Sequence, residues 1–183
     1  MAKAGDRIES PIWETIVFRK TSRESNGELL EMEATYRPSP LGPPEHYHPN
    51  QEERFEVLAG ALNVRIKGRE RVYRAGETFT VRKGVRHSMH CSGDQEGRVV
   101  WQVRPALRTE TFFETMWGLS RDGKVSSSGR PGLLRAALIM KEYSPEFRLS
   151  RPPYLAQLIA FSLLAPLARF LGYRARYDRY SGP

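Results

Sequence analysis

Three of the four histidines and one glutamate stand where strand geometry would gather them. His46 and His48 are two residues apart, so on an extended strand both rings leave the same face. Pro49 and Asn50 then give a turn signal that lets the next strand restart its phase. On that strand Glu53, Phe55 and Val57 share one face, while Arg54 and Glu56 share the other. The first face is apolar except for Glu53, and a carboxylate buried among apolar neighbours is costly unless a positive charge compensates it. His87 follows the tight-turn run Arg82-Lys83-Gly84 and opens an inward row that continues with Met89 and Cys91, leaving Ser88 and His90 on the other face. Imidazole and carboxylate together suit Fe, Mn, Ni, Cu or Zn, and three His with one Glu leave positions open for substrate or oxygen. A lone inward histidine is more often a hydrogen-bonded core residue than a ligand. Here the pair, the isolated Glu53 and a third inward histidine arise together, which favours one divalent transition metal on His46, His48, Glu53 and His87.

The elements that must position these residues are short strands. Glu14–Arg19 and Leu29–Tyr36 are candidates, parted by the turn-like residues 23–27. Leu62, Val64 and Ile66 alternate with polar residues, as do Phe79 and Val81, and then Val99, Trp101 and Val103. Glycines at 60, 68, 76, 84, 93 and 97 punctuate the runs at the spacing of an all-β sandwich or barrel. Near Ala106 the character changes. Phe112, Phe113, Met116 and Leu119 have helical spacing in Thr109–Leu119, with Thr109 as the expected N-cap. Residues 122–131 read as a loop, and Leu133–Tyr143 and Pro153–Leu171 as further helices, the last kinked near its end by Pro166. The expected division is a β-barrel over residues 1–106 and a helical extension over 107–183, packed on the barrel or on a dimer partner.

At 183 residues the chain is long enough to bury a core, and its apolar and charged fractions, 39% and 27%, are those of a globular protein. A single cysteine, Cys91, excludes an intramolecular disulfide, and the N-terminus has no apolar run of a secretory signal, so cytoplasmic residence is expected. The net charge of +8 is uneven: residues 1–110 carry 18 Lys and Arg against 16 Asp and Glu, and residues 111–183 carry 11 against 5. A near-neutral front suits a small-molecule pocket, and a basic rear a charged surface.

The run His46-Tyr-His48-Pro-Asn-Gln-Glu-Glu53-Arg-Phe-Glu-Val-Leu-Ala-Gly60 resembles the first motif of the cupin superfamily, His-x-His-x(3 or 4)-Glu-x6-Gly. Gly76-Glu-Thr-Phe-Thr-Val-Arg82-Lys-Gly84-Val-Arg-His87 is similar to the second, Gly-x5-Pro-x-Gly-x2-His. The resemblance covers about residues 40–91 and implies a mainly β fold: a cupin-type jelly-roll β-barrel, followed here by two or three C-terminal α-helices. It implies His46, His48, Glu53 and His87 as metal ligands near the barrel mouth, and commonly a homodimer. The chain departs from the pattern at Pro40, where a glycine usually opens the first motif, at Arg82 in place of proline, and at Cys91 in place of asparagine.

Cupins are functionally broad, so the fold does not name a reaction. Phe55, Met89 and Trp101 would line an apolar pocket beside the metal, although Phe55 and Met89 serve equally as barrel filling. No second inward carboxylate or lysine is evident as a general acid or base. The leading expectation is a metal-dependent enzyme acting on a small organic molecule, by oxygen-dependent cleavage of a ring or carbon–carbon bond. The alternatives are a non-catalytic cupin whose metal holds a ligand or the barrel, and a sugar isomerase or epimerase. Residues 152–168 carry no charge, and Arg169, Arg174, Arg176 and Arg179 follow among tyrosines. This segment reads first as a helix wedged between barrel and partner subunit, and second as a contact with an anionic membrane surface. No nucleic acid is expected.

Overall fold

The computed structural model describes residues 2–39 and 42–181; Pro40 lies outside the described residues. Alternating burial builds the strands: in Leu30–Tyr36 every second residue is buried, and in Glu52–Ala59 Glu53, Phe55 and Val57 are. The strands are β1 (Arg7–Ile8), β2 (Thr15–Lys20), β3 (Leu30–Tyr36), β4 (His46–Tyr47), β5 (Glu52–Ala59), β6 (Ala61–Ile66), β7 (Arg69–Arg74), β8 (Thr78–Val81), β9 (His87–Cys91), β10 (Gly97–Arg104) and β11 (Arg148–Leu149). They form two antiparallel sheets, in the orders β1-β2-β3-β10-β5-β8 and β11-β4-β9-β6-β7. The chain passes from the first sheet to the second at Gly60, which has a left-handed φ of 68°. A Cβ there would lie 2.3 Å from the Glu96 carbonyl oxygen, so only glycine fits the corner.

The inner faces meet as a jelly-roll core. Phe18, Met32, Trp101, Phe55 and Phe79 lie on one continuous cross-strand row of the first sheet, and Leu62, Val64, Met89 and Cys91 face inward from the second. Phe55 is stacked between Phe79 and Trp101, with ring centroids 4.7 and 5.4 Å away.

The helices are α1 (Thr109–Arg121), α2 (Leu133–Glu142), α3 (Tyr154–Phe170) and a single turn, α4 (Asp178–Ser181). Residues 109–120 of α1 are all buried. Phe112, Phe113, Met116 and Trp117 join the barrel core, with Phe113 5.1 Å from Trp101. Two polar residues of α1 find partners across the fold: Glu110 accepts from the Ser22 amide and hydroxyl, and Ser120 pairs with Ser10. Thr109 is not the N-cap. Arg108 holds that position, and the Thr109 hydroxyl accepts a hydrogen bond from Gln51 at 2.8 Å instead. α3 packs on α2 through Ala165, Ala168 and Leu138, touches β11 where Gln157 donates to the Leu149 carbonyl at 2.9 Å, and runs through Pro166 to Phe170.

Three strands have no counterpart in the sequence pattern: β1, only two residues long, β7 and β11. β7, Arg-Glu-Arg-Val-Tyr-Arg, shows no period of two because neither face is fully buried. β11 lies beyond α2 and completes the second sheet by pairing with β4, Leu149 opposite His46.

Candidate metal centre

The centre is assembled from β4, β5, β9 and the segment joining α2 to β11. Strand pairing sets His46 directly opposite His87, and His48 follows at the end of β4. The turn before β9 is pinned to this edge: Gly84, at a left-handed φ of 75°, donates its amide to the His48 carbonyl at 2.8 Å. All three imidazoles are buried, and their ligating atoms lie within 4.8 Å of one another. Glu53, 1% exposed, reaches in from the opposite sheet. Its Oε2 lies 3.0 Å from His87 Nε2 and 3.3 Å from His48 Nε2.

Each imidazole is oriented by a carbonyl. Nδ1 of His46 lies 2.8 Å from Pro44 O, Nδ1 of His48 2.7 Å from Glu146 O, and Nδ1 of His87 3.2 Å from Val85 O. A carbonyl only accepts, so each Nδ1 carries the hydrogen and each neutral ring keeps its Nε2 lone pair for the centre. Glu53 is oriented likewise: its Oε1 accepts from Trp101 Nε1 at 3.0 Å, leaving Oε2 for the histidines.

This arrangement fits a cation. His48 Nε2 and Glu53 Oε2 are shielded from water, and neither completes a hydrogen bond among the described residues. Lone pairs of two imidazoles and a carboxylate aimed at one point repel unless a proton or a metal ion lies between them. The charge states say the same. Burial, then the neighbouring His87 and His48, hold His46 well below the usual histidine range. Burial likewise lowers His48. Burial would lower His87 too, but the Glu53 charge outweighs it and the net shift is upward. Burial would raise Glu53, yet His48 and His87 together bring it down to about 2. A permanent anion therefore faces three imidazoles, a donor set suited to a first-row divalent metal.

The family model for the cupin domain matches residues 32–103, the span that carries β3 to β10. Residues 32–103 form a cupin domain. The tetracenomycin polyketide synthase protein TcmJ of Streptomyces glaucescens is 36% identical over 61 residues, 33% of this chain and 41% of that protein. The chain spans less than half the length of the first streptomycete relatives it matches. The probable oxidoreductase virH of Hypocrea virens is 29% identical over 178 residues, 86% of this chain and 79% of virH. A stretch that long takes in α1 and α2, so the likeness to virH extends beyond the cupin domain. An RmlC-like cupin from Shewanella frigidimarina NCIMB 400 superposes with a TM-score of 0.50 at 19% identity, over 60% of this chain and 92% of that one, which shows the fold alone.

The structure brings together the four expected ligand positions of the cupin domain. Of the three expected lining residues, Trp101 touches Glu53. Phe55 is fully buried in the aromatic stack, and Met89, one row deeper than His87, receives the Tyr36 hydroxyl at 3.7 Å. Two participants had no sequence signal. Phe147 stacks on His46 with centroids 4.6 Å apart and on Phe112 at 5.5 Å, roofing the centre. Glu146 supplies the carbonyl behind His48 and is itself held by Arg108 at 3.0 Å. A further carboxylate in a desolvated setting is Glu14, which precedes β2 on the side of Ile16 and Phe18. Burial pushes its carboxyl up to about 7. The buried Tyr36 hydroxyl lies in the fields of both Glu14 and Glu53, which add to the upward push of its own burial.

Proposed function

We propose that His46, His48, Glu53 and His87 hold one divalent transition metal, and that the centre acts as an oxygen-dependent oxidoreductase on a small, largely apolar organic molecule. The observation that carries this reading is the set of converging Nε2 atoms, each backed by a carbonyl on Nδ1, around a buried carboxylate with an unpaired oxygen. A redox-active metal held there would supply Lewis acidity and electron transfer to oxygen or substrate. The residues of the chain do the rest. Trp101 fixes the carboxylate, Phe147 and Phe112 exclude water from the imidazole face, and Tyr36 and Glu14 supply hydrogen-bonding and protonatable groups within the barrel. The names of virH, a probable oxidoreductase, and TcmJ, a polyketide synthase protein, support the reading of an oxidoreductase acting on a polyketide-like compound.

Protein loaded with Fe(II), Mn(II) or Ni(II) should consume oxygen with some members of a panel of phenols and diketones. No consumption with any metal across the panel removes the oxygenase reading. One observation favours a second reading, a non-catalytic cupin whose metal holds a ligand or the barrel: Phe147 packs directly over His46. In that case metal raises the melting temperature and no panel member turns over.

A further inference from the structure

α3 is turned inside out. Its buried residues are Gln157, Ala165 and Ala168, small or polar, while most of its large apolar side chains are exposed. Leu155, Ile159, Leu163 and Leu167, four apart, form one exposed row, prolonged by Phe170 and Leu171. Leu155, Leu163 and Phe170 are 68%, 75% and 88% exposed. An ordinary surface helix has the opposite polarity, and a contiguous apolar row of this length marks an interaction surface.

Charge selects the occupant. Residues 147–177 contain Arg148, Arg151, Arg169, Arg174 and Arg176 and no Asp or Glu. Arg151 stands before α3 and Arg169 and Arg174 stand at and after its end, all three exposed. A two-fold contact of α3 with a second copy would bring like-charged segments together. An anionic surface would meet them with the opposite charge. The helix has 17 residues, about 25 Å in length, and its other face is occupied by α2. No helix of the described residues is long and apolar enough to cross a membrane. We propose that α3 lies flat in the headgroup region of an anionic bilayer, with the row from Leu155 to Leu171 at the acyl boundary and Arg151, Arg169 and Arg174 on lipid phosphates.

The test is flotation of the full-length chain with vesicles of phosphatidylcholine alone or with about 30% phosphatidylglycerol added, where anionic lipid attracts exposed arginines. The wild type should rise with the anionic vesicles at least roughly tenfold more than with neutral ones, and less in high salt. Arg169→Glu with Arg174→Glu should lower binding roughly fivefold or more per arginine. Ile159→Glu with Leu163→Glu should abolish it at an unchanged circular dichroism spectrum. The proposal is overturned if the wild type stays unbound to anionic vesicles, or if the arginine variant binds as well as the wild type. It is also overturned if light scattering without lipid shows a dimer that Leu163→Glu separates, because a second copy then covers this face.

Discussion

The indole of Trp101 links the aromatic core to the candidate metal centre through one hydrogen bond, Nε1 to Glu53 Oε1 at 3.0 Å. Replacing it by Phe keeps the ring stack and removes the donor. Groups that orient a ligand typically change metal affinity by about 10- to 100-fold, so Trp101→Phe should weaken binding by that order in a competition titration while the fold persists. Unchanged affinity would remove Trp101 from the centre. Glu14 gives the clearest pH effect. Its carboxyl is raised from 4.5 to about 7 by burial. The unfolded chain therefore loses this proton first, and stability falls as pH rises from about 4.5 to about 7, staying lower above that. For this partly buried group the loss is on the order of 2–3 kcal/mol. Glu14→Gln should raise the melting temperature at pH 8 and leave it unchanged at pH 4; equal effects at both would contradict the shift. At this scale the clustering of the three imidazoles and Glu53 was legible because a period of two sorts His46 and His48, Glu53 and Phe55, and His87 and Met89 onto single faces. The orienting partners were not legible: the carbonyls of Pro44, Val85 and Glu146 belong to the backbone and have no residue-type signature. The inward side of Glu14 follows from the same parity, carried one residue before its strand.

Among elements, the least foreseeable is the short β11. It covers the edge of β4, the strand that carries His46, and brings Phe147 over the imidazoles. Nothing in Ser-Pro-Glu-Phe-Arg-Leu at 144–149 has a strand period long enough to read, and pairing with a sheet a hundred residues earlier is set only by tertiary structure. β7 was hidden for a different reason, since a strand with neither face fully buried carries no hydrophobic alternation. β3 and α2 were readable to within a residue or two, because burial on one side writes itself into residue type; α3 was readable from its long uncharged run instead, since its buried side is Gln157, Ala165 and Ala168. Phe147→Ala should retain the metal, lower stability by about 2 kcal/mol for a half-buried ring, and let EDTA strip the metal roughly tenfold faster. Stripping at the wild-type rate would mean that Phe147 does not shield the centre.

At the scale of the whole molecule the change of character near Ala106 marks a change of secondary structure, while the core runs across it. α1 is buried on all sides, with Phe113 against Trp101 and Trp117 against Trp13. Its amphipathic spacing was evident, but its complete burial was not, because Glu110 and Ser120 read as surface residues until their partners Ser22 and Ser10 are known. A chain ending at residue 106 should therefore be insoluble or unfolded. One ending at 151 keeps α1 and β11 and should bind metal at reduced thermal stability, having lost α3 and the packing of α4 beside α1. Circular dichroism and metal analysis of the two truncations check this, and a well-folded 1–106 fragment would contradict it. The measurement that bears most directly on the centre is elemental analysis of the full chain, prepared without a metal-affinity tag, beside His46→Ala and Glu53→Ala. The geometry predicts about one equivalent of a first-row divalent metal in the wild type, the stoichiometry of a single three-histidine, one-carboxylate site, lost in both variants while their secondary structure remains. A wild type that holds no metal even after reloading, or variants that keep it, would contradict the account.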